Sequence, residues 1–444
     1  MKLAAKSAVG LAMLAAVLNA TGCGTDAAGT PMDAAVAAAD SVVAADSETT
    51  AETGPAADAA ASSPDGALGA PPTGLTVAQW ATFTVFHATV PAQHIAGVGR
   101  QEESLPAFVH RRPLVTKGAV GEQLPQPPLA NVQTAGAFFG AATAGDFSYA
   151  VTLPQAVVTA DWPPADSNLP AVGALTGLQA GKAQWALHVD PKATAEVPPA
   201  AAGSLWAGLR SNGGARVHRI GDPTAGDHQL FYRALGSFSP QLRISAKKSQ
   251  FSGGYDGIVH NDGPAIAAAW LLHLHSGGGL LQRLYALPAN ADSPFSRTPK
   301  ESPQAYFAMV KTEFAAELQQ QGLTVAQSQA LVATFTHNWL KTFGLRVIVV
   351  APTAWADSWW QTQVEPKPVS AVRVLLGRFE LLTAEGEAEL LQQMAAAAPK
   401  MDIAVVDTLG FFAEPKARRA AQGAASAEMK DFANKVLAAA EQLP

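Results

Sequence analysis

The chain has 444 residues, 48% of them hydrophobic and 15% charged, with a formal net charge of −6 and one cysteine. The first 22 residues carry +2 and residues 24–71 carry −8, so the body from Pro72 onward is neutral; this argues against a nucleic-acid surface and against steering of an anionic substrate. Cys23 is the only thiol, which excludes a cysteine nucleophile in the body, and no internal segment is apolar and long enough to cross a membrane.

The N-terminus reads as an export signal. Lys2 and Lys6 precede an apolar stretch, Ser7 to Leu18, that is too short for a stable span. Ala20-Thr21-Gly22-Cys23 resembles the lipobox of bacterial lipoproteins, which makes residues 1–22 a signal peptide and Cys23 the lipidated residue. The alternative is cleavage by the ordinary signal peptidase. Gly24 after the cysteine points to the outer membrane. Residues 23–75 form an acidic, Ala-rich tether with no aromatic residue, Lys or Arg, too polar to offset its ordering entropy.

Residues 76–300 read as an antiparallel β-rich domain. Short strand-like runs come first: Thr82–Phe86, Phe147–Thr152, Val157–Trp162, Gln184–Val189 and Ala215–Ile220, separated by Gly and Pro clusters. From Leu230 a β-meander is expected, with Asp-Gly and Gly-rich links between apolar runs ending at Leu287. Residues 301–444 read as a helix and strand domain that shares a core with that meander. Gln304–Gln320 has helical apolar spacing. Thr324 and Gln327 form a capping box for a second helix, which Gly344 stops. Leu345–Val350 and Val372–Leu376 are buried strands. Thr383 caps another helix, Glu414-Pro415 opens one, and Ala425–Gln442 closes the chain as an amphipathic helix. The expected class is α+β.

Several segments resemble a family of bacterial exported proteins without an assigned activity. Its mature domains begin with His-Glu-Trp-Gly-Thr-Phe-Thr, where this chain has Ala78-Gln79-Trp80-Ala81-Thr82-Phe83-Thr84. Leu105-Pro106-Ala107-Phe108-Val109-His110 matches a Leu-Pro-x-Phe-Val-His segment. Gln133-Thr134-Ala135 stands where the family has Glu-Thr-Pro, and Thr159–Pro163 echoes Thr-Glu-Trp-Tyr-Pro. Leu230–Gly236 nearly repeats Leu-Phe-Tyr-Arg-Gly-Leu-Gly. Ala78, Gln79 and Gln133 replace the family's His, Glu and Glu, so any chemistry those groups carry is absent here. The resemblance implies fold and export, not a reaction.

Three groups are candidates for chemistry. His273 and His275 alternate on a strand, which places both imidazoles on one face, as in many sites for a divalent metal. A hairpin folded at Ser276–Gly279 would set His273 opposite Gln282 and His275 opposite Leu280. The alternative is two half-buried strand histidines. Asp256, His260 and Asp262 between glycines read either as a cation loop or, more simply, as turn residues. Trp355, Trp359 and Trp360 form either an exposed patch for a sugar or a protein or, the reading we favour, a buried seal on the core. There is no Gly-x-Ser-x-Gly elbow, His-Glu-x-x-His, P-loop or dinucleotide glycine pattern. The sequence therefore suggests an exported, lipid-anchored envelope protein, without a cofactor, that binds a protein or glycan partner and no nucleic acid. The competing reading is a metal-dependent or Ser-type hydrolase built around His273 and His275.

Overall fold

The computed structural model describes residues 68–442, except 92–93, 95–104, 112–130, 155, 167–180, 201–203, 237–238, 250–253, 276, 285, 298–299 and 424–425. The expected signal peptide, Cys23 and most of the expected tether lie outside the described residues. The strands are β1 (Thr76–Ala88), β2 (His110–Arg111), β3 (Asn131–Gly140), β4 (Gly145–Leu153), β5 (Ala156–Trp162), β6 (Gly181–Asp190), β7 (Arg216–Arg219), β8 (Asp222–Asp227), β9 (Leu230–Gly236), β10 (Leu242–Lys248), β11 (Tyr255–Asn261), β12 (Ala269–His275), β13 (Gly278–Leu284), β14 (Ala291–Arg297), β15 (Gly344–Val350), β16 (Gln361–Glu365) and β17 (Ser370–Leu382). The helices are α1 (Leu205–Arg210), α2 (Pro303–Gln320), α3 (Val325–Phe335), α4 (Thr353–Trp359), α5 (Ala384–Ala397), α6 (Val405–Leu409), α7 (Ala413–Gln422) and α8 (Ala427–Gln442).

A nine-stranded sheet forms the middle layer, in the order β13-β12-β15-β17-β1-β3-β9-β5-β2. β1 and β17 run parallel at its centre, from Thr76 opposite Ser370 to Ala88 opposite Leu382, and the neighbouring pairs are antiparallel. β1 is buried on both faces over ten consecutive residues, which is why the sequence reads there as a nearly continuous apolar run rather than an alternating one. One face packs against a five-stranded sheet (β16-β4-β6-β7-β8) and a three-stranded sheet (β10-β11-β14), through Phe83, Tyr149, Trp185, Leu271, Val259 and Phe295. On the other face lie α1, α2 and α3, through Trp206, Tyr306, Phe314 and Leu331. A third cluster joins Phe86 and Leu382 to α5, α7 and α8. The class is mixed α and β, with antiparallel sheets and C-terminal helices.

The boundary expected at residue 300 runs through one sheet, because β12 and β13 pair into the same layer as β15 and β17. Residues 61–444 form one compact unit. The antiparallel run from Leu230 is divided between sheets. β9 and β12, buried on both faces, join the central layer, whereas β10 alternates buried and exposed and covers it from outside. Ordered contacts also begin before Thr76. The Gly69 N–H donates to Asp146 and the Asp146 N–H to the Ala70 carbonyl, and Leu75 is buried. Gly145 permits this, since a Cβ there would lie 2.3 Å from the Pro72 nitrogen.

Helix ends follow the local chemistry. Both halves of the Thr324–Gln327 capping box are present. α3 does not run on to Gly344; it passes into a π-helical turn, Thr336–Leu340. Gly344, at φ +119°, then redirects the chain into β15. Beneath this turn lies a fully buried ion cluster. Arg346 and Arg378 both pair with Glu380, Arg346 at 2.9 Å. Arg346 also donates to the carbonyls of Trp339, Thr342 and Phe343 at 2.8–2.9 Å, satisfying helix-end acceptors that water cannot reach. Removing one member of such a cluster leaves buried charge uncompensated. Glu380→Gln is expected to lower stability by about 3 kcal/mol or more in urea unfolding, against about 1 kcal/mol for the surface cap variant Thr324→Ala.

Candidate functional site

The hairpin β12–β13 carries the two histidines singled out in the sequence. It closes through the two positions 276 and 277, so His275 faces Gly278 and His273 faces Leu280. The register is thus two residues tighter than the four-residue loop the sequence suggested. Two-residue connections match the twist of the flanking strands.

The two rings lie 5.3 Å apart, tilted by 43°. His273 is buried, packed edge-on against Tyr255 at 5.0 Å, and its Nδ1 has no hydrogen-bond partner. Burial, and secondarily the charges of His275 and Arg346, push its pKa down to about 3. His275 is half-buried, and its Nδ1 accepts the Gly277 N–H at 3.0 Å. The proton of neutral His275 therefore sits on Nε2, and metal ligation through that atom would break the Gly277 bond. His273 borders a cavity of about 20 Å3 with Tyr255, Thr383 and Glu389, room for one water and no substrate. Among the described residues, no group of three or more His, Cys, Asp or Glu is placed to hold a metal ion.

The other candidates separate. His260 is held by Asp292 through Nδ1 and by Asp262 at 2.6 Å through Nε2, while Arg243 grips Asp262 at 2.6 and 2.9 Å. The Arg243 hydrogen bond holds the Asp262 carboxyl at about 2, and the bond from Asp292 raises His260. Asp256 instead accepts from Ser296. Asp262 is neutralised by Arg243 and Asp256 is bonded elsewhere, so the three residues do not converge as one cation loop. The Trp355–Trp360 segment is not an exposed patch. Trp355 and Trp360 are buried and Trp359 half-buried around Phe83, and the Trp360 indole donates to Tyr232. Gln79 is buried and accepts from Thr362 at 3.0 Å.

Two arrangements escaped the sequence. His110 Nδ1 meets the buried Asp161 at 2.8 Å across β2 and β5, joining two segments far apart in the chain. Glu387 of α5 is buried against Lys416 and Arg419 of α7 and His94. Burial alone would raise the Glu387 carboxyl, but the bonds from Arg419 and Lys416 hold it below the usual range. Only strand register and helix packing bring these partners together, and no spacing in the sequence signals it.

The most open feature flanks the same hairpin. β13 is an edge of the nine-stranded sheet. Opposite Leu272 and Trp270, Leu281 and Arg283 face α2. Arg283 lies over the Trp270 ring at 5.5 Å and donates to Glu317 of α2 at 2.8 Å. Between strand and helix is a depression of about 390 Å3 lined by Leu281, Arg283, Ala308, Met309, Thr312 and Glu313. Met309 is 37% exposed on its rim. The outer edge of β13 already takes one residue of extended chain, since Gly279 and Glu301 exchange hydrogen bonds at 2.9 and 3.1 Å before the chain turns into α2.

No protein-family model matches the chain, and no curated protein matches it. Among solved structures it is similar to the yeast delta-COP-I mu-homology domain complexed with a Dsl1 WxWxV peptide, at 7% identity and a TM-score of 0.24, covering 71% of this chain and 99% of that one. It is also similar to the Fcho1 mu homology domain of Danio rerio with a bound Eps15 peptide, at 6% identity and a TM-score of 0.25, covering 70% and 97%. TM-scores this low do not establish a shared fold.

The buried His273 makes a pH test available. Its folded pKa lies below the ordinary 6.5, so the folded state binds the proton less tightly than the unfolded chain. Its contribution is fully present above about pH 6.5 and is lost as pH falls toward 3, at up to about 1.4 kcal/mol per pH unit. Urea midpoints measured from pH 7 to pH 4 should fall less steeply in His273→Leu than in the unsubstituted protein.

Proposed function

We propose that this chain is an exported, lipid-anchored envelope protein that binds a protein partner in the groove between β13 and α2. The observation that carries the reading is that groove. It combines a sheet edge, apolar lining from Leu281 and the exposed Met309, and charged lining from Arg283 and Glu313. An extended peptide adding to β13 would place alternate side chains into the depression, with main-chain hydrogen bonds supplying affinity and the depression supplying selectivity. Gly279 and Glu301 already pair in this way. The anchor is Cys23, and the acidic stretch after it gives reach from the membrane surface.

A hydrolase at His273 and His275 has no such support. His273 has no hydrogen-bonding partner on its buried nitrogen, and its cavity has no room for a substrate.

A photocrosslinking residue at Met309 should give a discrete adduct in native envelopes, and Leu281→Asp should remove it while the protein stays folded. An adduct that persists in Leu281→Asp, or none at Met309 when the exposed position Val369 gives one, would count against the groove. Separately, Cys23→Ser should move the protein from the membrane to the soluble fraction.

A further inference from the structure

On the outer face of the five-stranded sheet, three facing residues form a row across β4, β6 and β7. Asp146 stands opposite His188, and His188 opposite His218. The two imidazoles stack with centroids 5.0 Å apart and planes 29° apart. Both residues are half-buried. The next strand offers Gly226 opposite His218, so no side chain closes the row on that side.

The hydrogen bonds decide which nitrogen is free. His188 Nδ1 lies 2.6 Å from Asp146 Oδ1, and the other Asp146 oxygen accepts the Gly69 N–H at 2.7 Å. A carboxylate only accepts, so His188 Nδ1 carries the proton. His218 Nδ1 lies 3.0 Å from the Arg219 carbonyl, which also only accepts. In the neutral form both rings therefore expose a lone pair on Nε2, and neither Nε2 has a partner among the described residues. Imidazoles whose Nδ1–H is donated to a carboxylate or carbonyl are oriented and made more basic at Nε2, as metal-bound histidines usually are.

We propose that His188 and His218 form a two-histidine surface site for a late first-row divalent cation, with both Nε2 atoms as ligands and water completing the shell. Imidazole donors and the order of divalent affinities favour Cu2+ over Ni2+ and Zn2+. Asp146 orients His188 and is not itself a ligand. Arg216 and Arg219 bring opposing positive charge. Arg216 is buried and committed to the Pro223 carbonyl at 2.6 Å, and the Asp146 carboxylate partly offsets both.

The test is a Cu2+ titration of the purified full chain, followed by electron paramagnetic resonance. One Cu2+ per chain with coupling to two imidazole nitrogens is expected. His188→Ala and His218→Ala should each weaken binding at least tenfold. Asp146→Asn should weaken it by about tenfold, the usual cost of losing an orienting partner. His273→Ala/His275→Ala should change nothing. Binding that survives both single variants, or that disappears in His273→Ala/His275→Ala, overturns the site. Ring-proton NMR of the unsubstituted protein guards against misfolded variants. Sub-stoichiometric Zn2+ should shift His188 and His218 together, and no shift at either overturns the proposal.

Discussion

The parallel pairing of β1 with β17 is the constraint on which the rest of the structure depends. These strands come from opposite ends of the body, yet they lie side by side over thirteen residues at the centre of the largest sheet. Parallel strands cannot be joined by a tight turn. They are separated by a long stretch of chain, and bringing the ends of so long a loop together costs entropy. Burial on both faces offsets that cost. Trp80 and Phe83, three residues apart and so on opposite faces of the strand, enter different cores, one against the helices and one against the outer sheets. β1 therefore joins the antiparallel half of the sheet, from β3 to β2, to the half that carries β15, β12 and β13. The candidate groove lies where the second half ends at β13, whose outer edge is bridged at Gly279 by Glu301.

The polar groups buried on the helical side of this sheet have a shared logic. Arg346 of β15 and Arg378 and Glu380 of β17 lie beneath the π-helical turn, Arg346 on the Trp339 carbonyl and Arg378 over the Trp339 ring. The turn leaves carbonyls pointing inward, and Arg346 satisfies three of them. Glu380 then balances part of the charge that this brings. A cluster of this kind is weak evidence for net stability, because desolvation consumes most of its Coulombic gain. What it does is terminate a helix in a place without water. The Glu387 cluster performs a similar task between α5 and α7, where the fully buried Lys416 needs a carboxylate beside it. Both clusters are closed on themselves, unlike the Leu281–Met309 depression, which faces outward.

Local rules carried the helices well. Thr324 with Gln327, Thr383, and Pro415 each sit at the helix start their chemistry suggests, because capping depends on residues three or four apart. Sites depended on register and packing, and there local reading went astray. His273 and His275 do share a face, as alternation requires, but a turn two residues shorter gave them different partners, and the sheet above buried one of them. The tryptophans are the exception: Trp355 and Trp360 are buried as favoured, because Phe83 and Tyr232 meet them from other strands. Asp146, His188 and His218 passed unremarked, since nothing in their spacing shows that three strands align them.

By itself, the sequence determined the features that act over a few residues or by bulk composition: the acidic stretch, the neutral body, the helix caps and most strand positions. Hydrophobic period and turn chemistry suffice for these. Only the tertiary structure decided that one sheet spans the whole body, that β1 lies against β17, that the histidine pair at the surface is His188 with His218, and that the open edge is β13. Each of those is a pairing between distant segments, chosen by which faces the whole chain can bury at once, and no short stretch of residues contains that information.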